Sequence, residues 1–522
     1  MSKHTNGGSV LGPRQAGVSL HISSLPGPFG IGEIGAEARD FVDTLVRMGL
    51  QTWQILPLGP TAYGDSPYQP LSTFAGNEMF IDTGDLLRRG LLSQSEVQSL
   101  EQLPGHTVDY SALIPIKTAL LSEAAKRFSR RASSRCKSEF DDFVEATDVD
   151  WLHEYALFRV LKSRHNQQAW TEWRPEYKHH DDDALKKLEA DAAEQIEHIK
   201  VQQFLFASQW QRLKKYANGQ GITLFGDMPI CIALDSADAW ASPEFLRIDR
   251  NGVPDCVAGV PPDYFSEDGQ LWGNPLYDWP AHHASGYRWW ISRLKSTIDK
   301  VDLVRIDHFR GFEAYWAIPG DATDARVGQW EPGPREAIFD AFKDALGTLP
   351  IVAEDLGVIT PPVDELRMRY EIPGMFVLQF DSTDPNFSWD SVVENSVVYT
   401  GTHDNDTTVG WFHGSAEARV TDDELRAQQE AALRFTGGSP ETIAIDLIRA
   451  AMNSRANLAI APMQDYLELG SEARINTPGT SNNNWRWRLQ NELLTDERCD
   501  LIAEIVDQSG RSVMHCQLRQ YR

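Results

Sequence analysis

Three acidic residues stand at the carboxyl ends of short apolar runs: Asp307 in VDLVRIDHFRG, Glu354 in LPIVAEDLG and Asp404 in SVVYTGTHDND. Carboxylates at the ends of separate parallel strands are how a barrel enzyme assembles a nucleophile, a proton donor and a charge stabiliser. Arg305 precedes Asp307 by two residues, so on a strand both side chains point to one face. A guanidinium so placed favours the ionised, attacking form of a carboxylate. Glu354 would share its pocket with two other carboxylates, whose charge raises the pKa of a third and suits it to give up a proton. Asp404, next to His403, adds a charge that can hold sugar hydroxyls and steady an oxocarbenium-like transition state, and the set reads as retaining glycoside chemistry. Taken singly, each residue has a plainer reading. Asp307 could be half of a structural ion pair, Glu354 with Asp355 an acidic helix start, and HDND at 403–406 a cap or metal ligand. Their shared position on strand ends is what joins them.

Eight apolar runs bounded by Gly, Pro or acidic residues can supply those strands. They are GVSLH (17–21), TWQIL (52–56), ITLFGD (222–227), VDLVRID (301–307), PIVAED (350–355), MFVLQF (375–380), SVVYTG (396–401) and NLAIAP (457–462). Amphipathic stretches interleave with them. Residues 36–48 place Phe41, Val42, Leu45 and Val46 on one face before Gly49, and 440–453 offers Ser439 as cap, Pro440 in the first turn and a stripe of Ile443, Leu447, Ile448 and Ala451. With no signal for a second sheet, the pattern favours an α/β (β/α)8 TIM barrel over a doubly wound sheet.

Uneven spacing predicts insertions in the βα loops of a single barrel over 1–522: a largely helical one at 58–221, a lid-bearing one at 229–283 and a smaller one at 401–456. The first holds a charged helical stretch from Ala184 to Lys200 and tryptophans at 151, 170 and 173; HHDDD at 179–183 reads as a solvated helix start. The segment CVAGVPPDYFSEDGQLWGNPLYDW (256–279) is rich in Gly, Pro and aromatics, which predicts a long structured loop over the catalytic face. Within it Trp272 is the aromatic best placed as a sugar platform.

Composition narrows the partners. Forty-nine basic against seventy-five acidic residues leave a formal charge of −26 on 522 residues, 41% of them hydrophobic. That field repels phosphate polymers and argues against nucleic acid, but does not steer an uncharged polyol. Cys136, Cys231, Cys256, Cys499 and Cys516 are scattered and odd in number, without a CxxC pair, which fits a reducing compartment and no structural zinc. A polar start and the lack of an eighteen-residue apolar run point to a cytoplasmic protein without a membrane partner. The rival functions are an α-glucan hydrolase on the same barrel, a metal-dependent barrel hydrolase using His403, Asp404, Asp406 and Asp355, and a glucan-binding module. No HxH or HExxH supports the metal reading, and binding alone has no use for three acids on separate strands.

At these residues the chain resembles the 4-α-glucanotransferases of glycoside hydrolase family 77, the amylomaltases or disproportionating enzymes. The likeness runs through GVSLHISSLPGPFGIGEIG, WQILPLGPTAYGDSPYQPLSTFAGN, FGDMPI, AGVPPDYFSEDGQLWGNPLYDW, RIDHFRG, AEDLG, GTHDND and NTPGTSNNNWRWR. It implies a barrel with inserted subdomains, no cofactor and no metal, and transfer of segments between α-1,4-glucans and maltooligosaccharides. By it Asp307 matches the nucleophile, Glu354 the acid/base and Asp404 the transition-state stabiliser. Ser66, Tyr68, Asp227, Gln270, Trp272, Arg305, His308, Phe380, His403 and Asn476 match sugar-binding positions, and Tyr63 resembles an aromatic at a secondary glucan contact. Two departures stand out: GVSLHISSLPG replaces a more apolar, Pro-containing opening, and the lid carries the acidic pair Glu267-Asp268.

Overall fold

Runs of β-branched and aromatic residues that pair on both edges become the strands, and the chain uses them in order. The computed structural model describes residues 9–262, 268–414 and 421–512; the expectations placed on Glu267, Cys516 and the Tyr63 side chain fall outside what is described. In chain order the strands are β1 (Gln15–Ser19), β2 (Thr52–Gln54), β3 (Thr223–Pro229), β4 (Cys256–Val260), β5 (Gln270–Pro275), β6 (Leu303–Asp307), β7 (Ala314–Pro319), β8 (Gln329–Pro332), β9 (Ile351–Ala353), β10 (Gly374–Val377), β11 (Ser396–Tyr399) and β12 (Leu458–Pro462). Eight of them form one parallel sheet ordered β10-β11-β12-β1-β2-β3-β6-β9. The outer two meet where the Ala353 amide donates to the Pro373 carbonyl at 2.8 Å, so the sheet closes into a (β/α)8 barrel. All eight runs singled out in the sequence supply its strands.

Inward and outward positions alternate as the pleat requires. Phe225, Leu303, Val352, Met375, Val397, Tyr399 and Ile460 fill the interior, while Val304, Ile306, Ile351, Val398 and Ala459 pack outward under the helices. Several boundaries move. TWQIL contracts to β2 because beyond Ile55, whose amide still reaches the Phe225 carbonyl at 2.8 Å, the chain leaves the ladder. MFVLQF divides: β10 ends at Val377, and Leu378–Asp381 is a helical turn that carries Phe380.

Helix Ala36–Arg47 buries Ala38, Phe41, Val42 and Leu45, but Val46, at the margin of that stripe, is 43% exposed. The helix expected from 440 begins at Ile443 with Thr442 as its cap residue. Ser439 instead bonds the Glu441 carboxylate at 2.8 Å, which leaves Pro440 ahead of the helix; the expected buried stripe is intact. Between β2 and β3 lie helices Tyr110–Arg131, Ser134–Thr147, His153–Arg164, Asp182–Asp191 and Ala193–Gly219. Asp181 opens one of them by accepting the Ala184 amide at 2.9 Å, as a solvated start should. Trp170 and Trp173 sit with Phe158, Leu161 and Trp240 in a core separate from the barrel's. The last helix leans on the barrel itself, where the Trp210 indole donates to the Lys300 carbonyl at 2.8 Å.

The segment 256–279 differs from expectation. It contributes β4 and β5 to a second, four-stranded antiparallel sheet ordered β5-β4-β7-β8. Its Gly and Pro residues do not break the strands because they fall at ends and at an irregularity. Pro275 ends β5, and Gly259 follows a register shift. A Cβ on Gly259 would lie 2.2 Å from the Gln270 carbonyl oxygen, so glycine permits the close approach of β4 to β5. Among the described residues no helix is long and apolar enough to cross a membrane.

The amino-terminal end of the barrel is tied by Arg511, which is fully buried. Its guanidinium donates to the carbonyls of Met452 (2.7 Å), Gln15 (2.8 Å) and Ala456 (2.8 Å), bridging the starts of β1 and β12. Arg511→Met should lower unfolding stability by about 3 kcal/mol, because buried carbonyls lose their donors, while specific activity per folded molecule is retained. Chemical denaturation with an activity assay checks this, and wild-type stability would refute it.

Candidate active site

The site grows from a register pair. Asp227 on β3 faces Arg305 on β6 across the parallel ladder, and both point into the barrel mouth with Asp307 two residues on. The Arg305 fork donates through Nη1 to Asp227 Oδ2 at 2.7 Å and through Nη2 to Asp307 Oδ1 at 2.8 Å. The side chain of Asp227 is fully buried, that of Arg305 is 5% exposed and that of Asp307 30% exposed. Burial raises the Asp227 pKa against the pull of Arg305. Asp227 Oδ2 also accepts the Tyr68 hydroxyl at 2.9 Å. Burial, then the Asp227 charge, pushes the Tyr68 phenol well above its ordinary range, so it remains a donor.

Glu354 lies one residue past β9 in a different environment. His308 and Leu356 donate their amides to its two carboxyl oxygens, at 2.7 Å and 2.9 Å. His308 reaches it because its backbone is left-handed, with φ 53°. Burial is the largest influence on Glu354 and lifts its pKa to about 7, against the lowering effect of Arg305 and with help from the Asp307 charge. The sequence reading gave the neighbouring carboxylates that role, whereas desolvation leads. Burial also lowers His308 to about 4, so its ring is neutral at neutral pH. The Trp272 indole on β5 meets that ring edge-on, with centroids 4.9 Å apart and planes at 84°. Trp272 Nε1 donates to Gln270 Oε1 at 3.1 Å; Gln270 and Trp272, two apart on β5, share a face.

Asp404 lies in the loop after β11. Its Oδ1 accepts the Asn476 amide at 2.6 Å, its Oδ2 lies 3.4 Å from His403 Nε2, and its side chain is 49% exposed. His403 stacks on Tyr68, with centroids 4.9 Å apart and planes at 12°. One connected arrangement thus runs from Trp272 and His308 through Glu354, and from Asp307 through Arg305, Asp227, Tyr68 and His403 to Asp404 and Asn476. Ser66 stands beside it, accepting the Tyr68 amide at 3.2 Å. Phe380 is 41% exposed on the turn after β10, at the same end of the barrel.

The alternative metal set does not converge. Asp355 turns under β10, where it accepts the Met375 amide at 2.8 Å and pairs with Arg367 at 3.1 Å. Asp406 accepts the Ser471 hydroxyl at 2.7 Å. Among the described residues no three His, Cys, Asp or Glu side chains are grouped to hold a metal ion. Of the acidic lid pair, Asp268 lies 3.5 Å from Arg326, with both side chains well exposed.

Three neighbours escaped the sequence reading. His21, two residues past β1, is buried, accepts the Leu56 amide at Nδ1 (3.3 Å) and is driven by burial to about 3. Trp485 backs the Tyr68–His403 stack, with centroids 5.9 Å and 6.1 Å away. Arg474 bonds the Asp404 carbonyl at 2.9 Å. The only sequence signal for His21 was a histidine ending the first strand run, and for Trp485 its place in NNNWRWR.

Residues 20–495 match the family described as 4-alpha-glucanotransferase. A 4-alpha-glucanotransferase of Thermus thermophilus is 44% identical over 489 residues, 91% of this chain and 95% of that protein. One from Synechocystis is 43% identical over 513 residues, 97% and 100% of the two chains. The amylomaltase of Streptococcus agalactiae, solved in complex with acarbose, superposes with a TM-score of 0.90 at 37% identity, covering 96% of this chain and 100% of that one. The amylomaltase of Corynebacterium glutamicum shares the fold at a TM-score of 0.79 and 17% identity. The fold, the three acids at strand ends and this similarity along nearly the whole length agree: the chain belongs to the 4-alpha-glucanotransferase family, glycoside hydrolase family 77.

Proposed function

We propose that this enzyme moves segments of α-1,4-glucan from a donor to the 4-hydroxyl of an acceptor glucan or glucose, with retention. The observation that carries the reading is the pairing of an Arg305-held carboxylate, Asp307, with a buried carboxyl whose pKa is about 7, Glu354. Two carboxyl groups with such different surroundings divide into nucleophile and acid/base. Asp307 attacks the anomeric carbon as the glycosidic C–O bond breaks, and Glu354 passes its proton to the leaving oxygen. The incoming hydroxyl then returns its proton to Glu354 as its oxygen displaces Asp307. Asp404, half exposed at the mouth, faces the positive charge that develops on the ring.

The stacked pair Tyr68 and His403 offers an apolar wall to a sugar in the cleft, with Ser66, Asp227 and Arg305 behind it. Trp272, Gln270 and His308 cover the intermediate from the lid side, Phe380 flanks the mouth, and Tyr63 stands for a secondary glucan contact. Transfer exceeds hydrolysis only where water is at a disadvantage, and the aromatic lid supplies that. The segments 58–221, 229–283 and 401–456 would then be the cleft walls added to a bare barrel. The free thiols of Cys136, Cys231, Cys256 and Cys499 fit a reducing, cytoplasmic setting, in which the enzyme would act on starch and maltooligosaccharides.

Incubation with maltotriose should yield glucose plus longer oligomers with α-linkages, and Asp307→Ala should abolish both; exclusively shorter products would identify a hydrolase. Trp272→Ala should raise the ratio of hydrolysis to transfer, and an unchanged ratio would remove the lid from water exclusion. Because a carboxyl with its pKa raised to about 7 is protonated below that pH, kcat/KM should fall as pH rises through about 7. Asp307→Asn removes a charge that raises that pKa, so the Glu354 carboxyl, followed by carbon NMR, should titrate at lower pH; an unmoved titration would refute the coupling.

A further inference from the structure

Asp404 is the least enclosed of the three acids, and its side chain alone does not explain how it is aimed. Its loop is bound to the one after β12 by a series of hydrogen bonds. Asp465 accepts the hydroxyls of Thr400 (2.6 Å) and Thr408 (2.7 Å) and the Thr408 amide (2.7 Å), and Asp406 accepts the Ser471 hydroxyl. These fix the base of the loop. At its tip, Arg474 Nε donates to the Asn476 carbonyl at 2.7 Å and Nη2 to the Asp404 carbonyl at 2.9 Å. The Asn476 side-chain amide in turn donates to Asp404 Oδ1 at 2.6 Å. One guanidinium edge therefore holds the main chain of both members of the Asn476–Asp404 pair.

We propose that Arg474 is a positioning residue for transfer: it sets the spacing between Asn476 and Asp404 and so aims the Asp404 carboxylate at the reacting sugar. This rests on the reading of Asp404 as the transition-state stabiliser. A planar fork with Nε and Nη2 on one edge spans two carbonyls at fixed separation, which a lysine ammonium does not. Without it, the Asn476–Asp404 bond is left to hold the two residues together. A carboxylate that stabilises charge only in the transition state loses its effect when misaimed, with little change in ground-state binding.

Maltotriose disproportionation is measured for Arg474→Ala, Arg474→Lys, Asn476→Ala, Arg474→Ala/Asn476→Ala and Asp404→Asn, at a temperature where circular dichroism shows each folded. Arg474→Ala should lower kcat about ten- to a hundredfold with KM little changed. The double variant should be scarcely slower than Asn476→Ala, since both act on one alignment, and Arg474→Lys should fall between wild type and alanine. Multiplicative losses in the double variant, or a loss confined to KM, would overturn the proposal. If Arg474→Ala does not fold, the lysine variant carries the test, and a wild-type kcat there overturns it. Asp404→Asn separates the two readings. If it keeps kcat, the stabiliser role fails; if it loses kcat while the Arg474 variants do not, only the positioning role fails.

Discussion

A cation buried at the mouth of the barrel governs the arrangement. Taking a guanidinium out of water costs on the order of several kcal/mol unless its protons are matched, and Arg305 is matched by Asp227 in the neighbouring strand and Asp307 in its own. Because Asp227 and Arg305 are register partners, a one-residue slip of β3 on β6 would strand one charge inside the barrel and turn the other outward. The ion pair therefore depends on correct closure and also holds the carboxylate at the end of β6. Tyr68 shares the same Asp227 oxygen, so the loop after β2 is brought in by the same charge, and His403 arrives on the face of that ring.

Glu354 illustrates the opposite treatment of the same functional group. Among the described residues no guanidinium bonds it; two amides and burial define it. Hydrogen bonds to the carboxylate favour the charged form and desolvation disfavours it, and here desolvation prevails. The two carboxyls thus differ in that a guanidinium bonds Asp307 while burial dominates at Glu354, against the pull of the amide that left-handed His308 turns toward it.

The barrel strands were legible because each is a short apolar run that stops at Gly, Pro or acid, and Arg305 and Asp307 could be placed on one face from spacing alone. Helix starts and strand ends were less so. Nothing local in Ser439-Pro440 tells that Ser439 will bond Glu441 and leave the cap to Thr442. The second sheet was hidden because β4 finds its partner in β7, roughly sixty residues away, and Gly and Pro inside the segment read as breakers when they mark a strand end and an irregular pairing. Arg474 and His21 were missed for a different reason: their partners are main-chain groups of distant loops, which no spacing rule reaches.

That second sheet also constrains the strand that carries Trp272. Trp272 lies on β5, and its neighbour β4 pairs with β7, which begins seven residues after Asp307. The short helix Phe309–Phe312 and β7 therefore continue directly from the strand of Asp307 into the second sheet. Trp272 rests on His308, the residue that also bonds Glu354. A displacement of β5 as part of the sheet would pull on the segment 308–314 and disturb the amide that bonds the Glu354 carboxyl. The sheet thus keeps Trp272 and the Glu354 carboxyl in one frame.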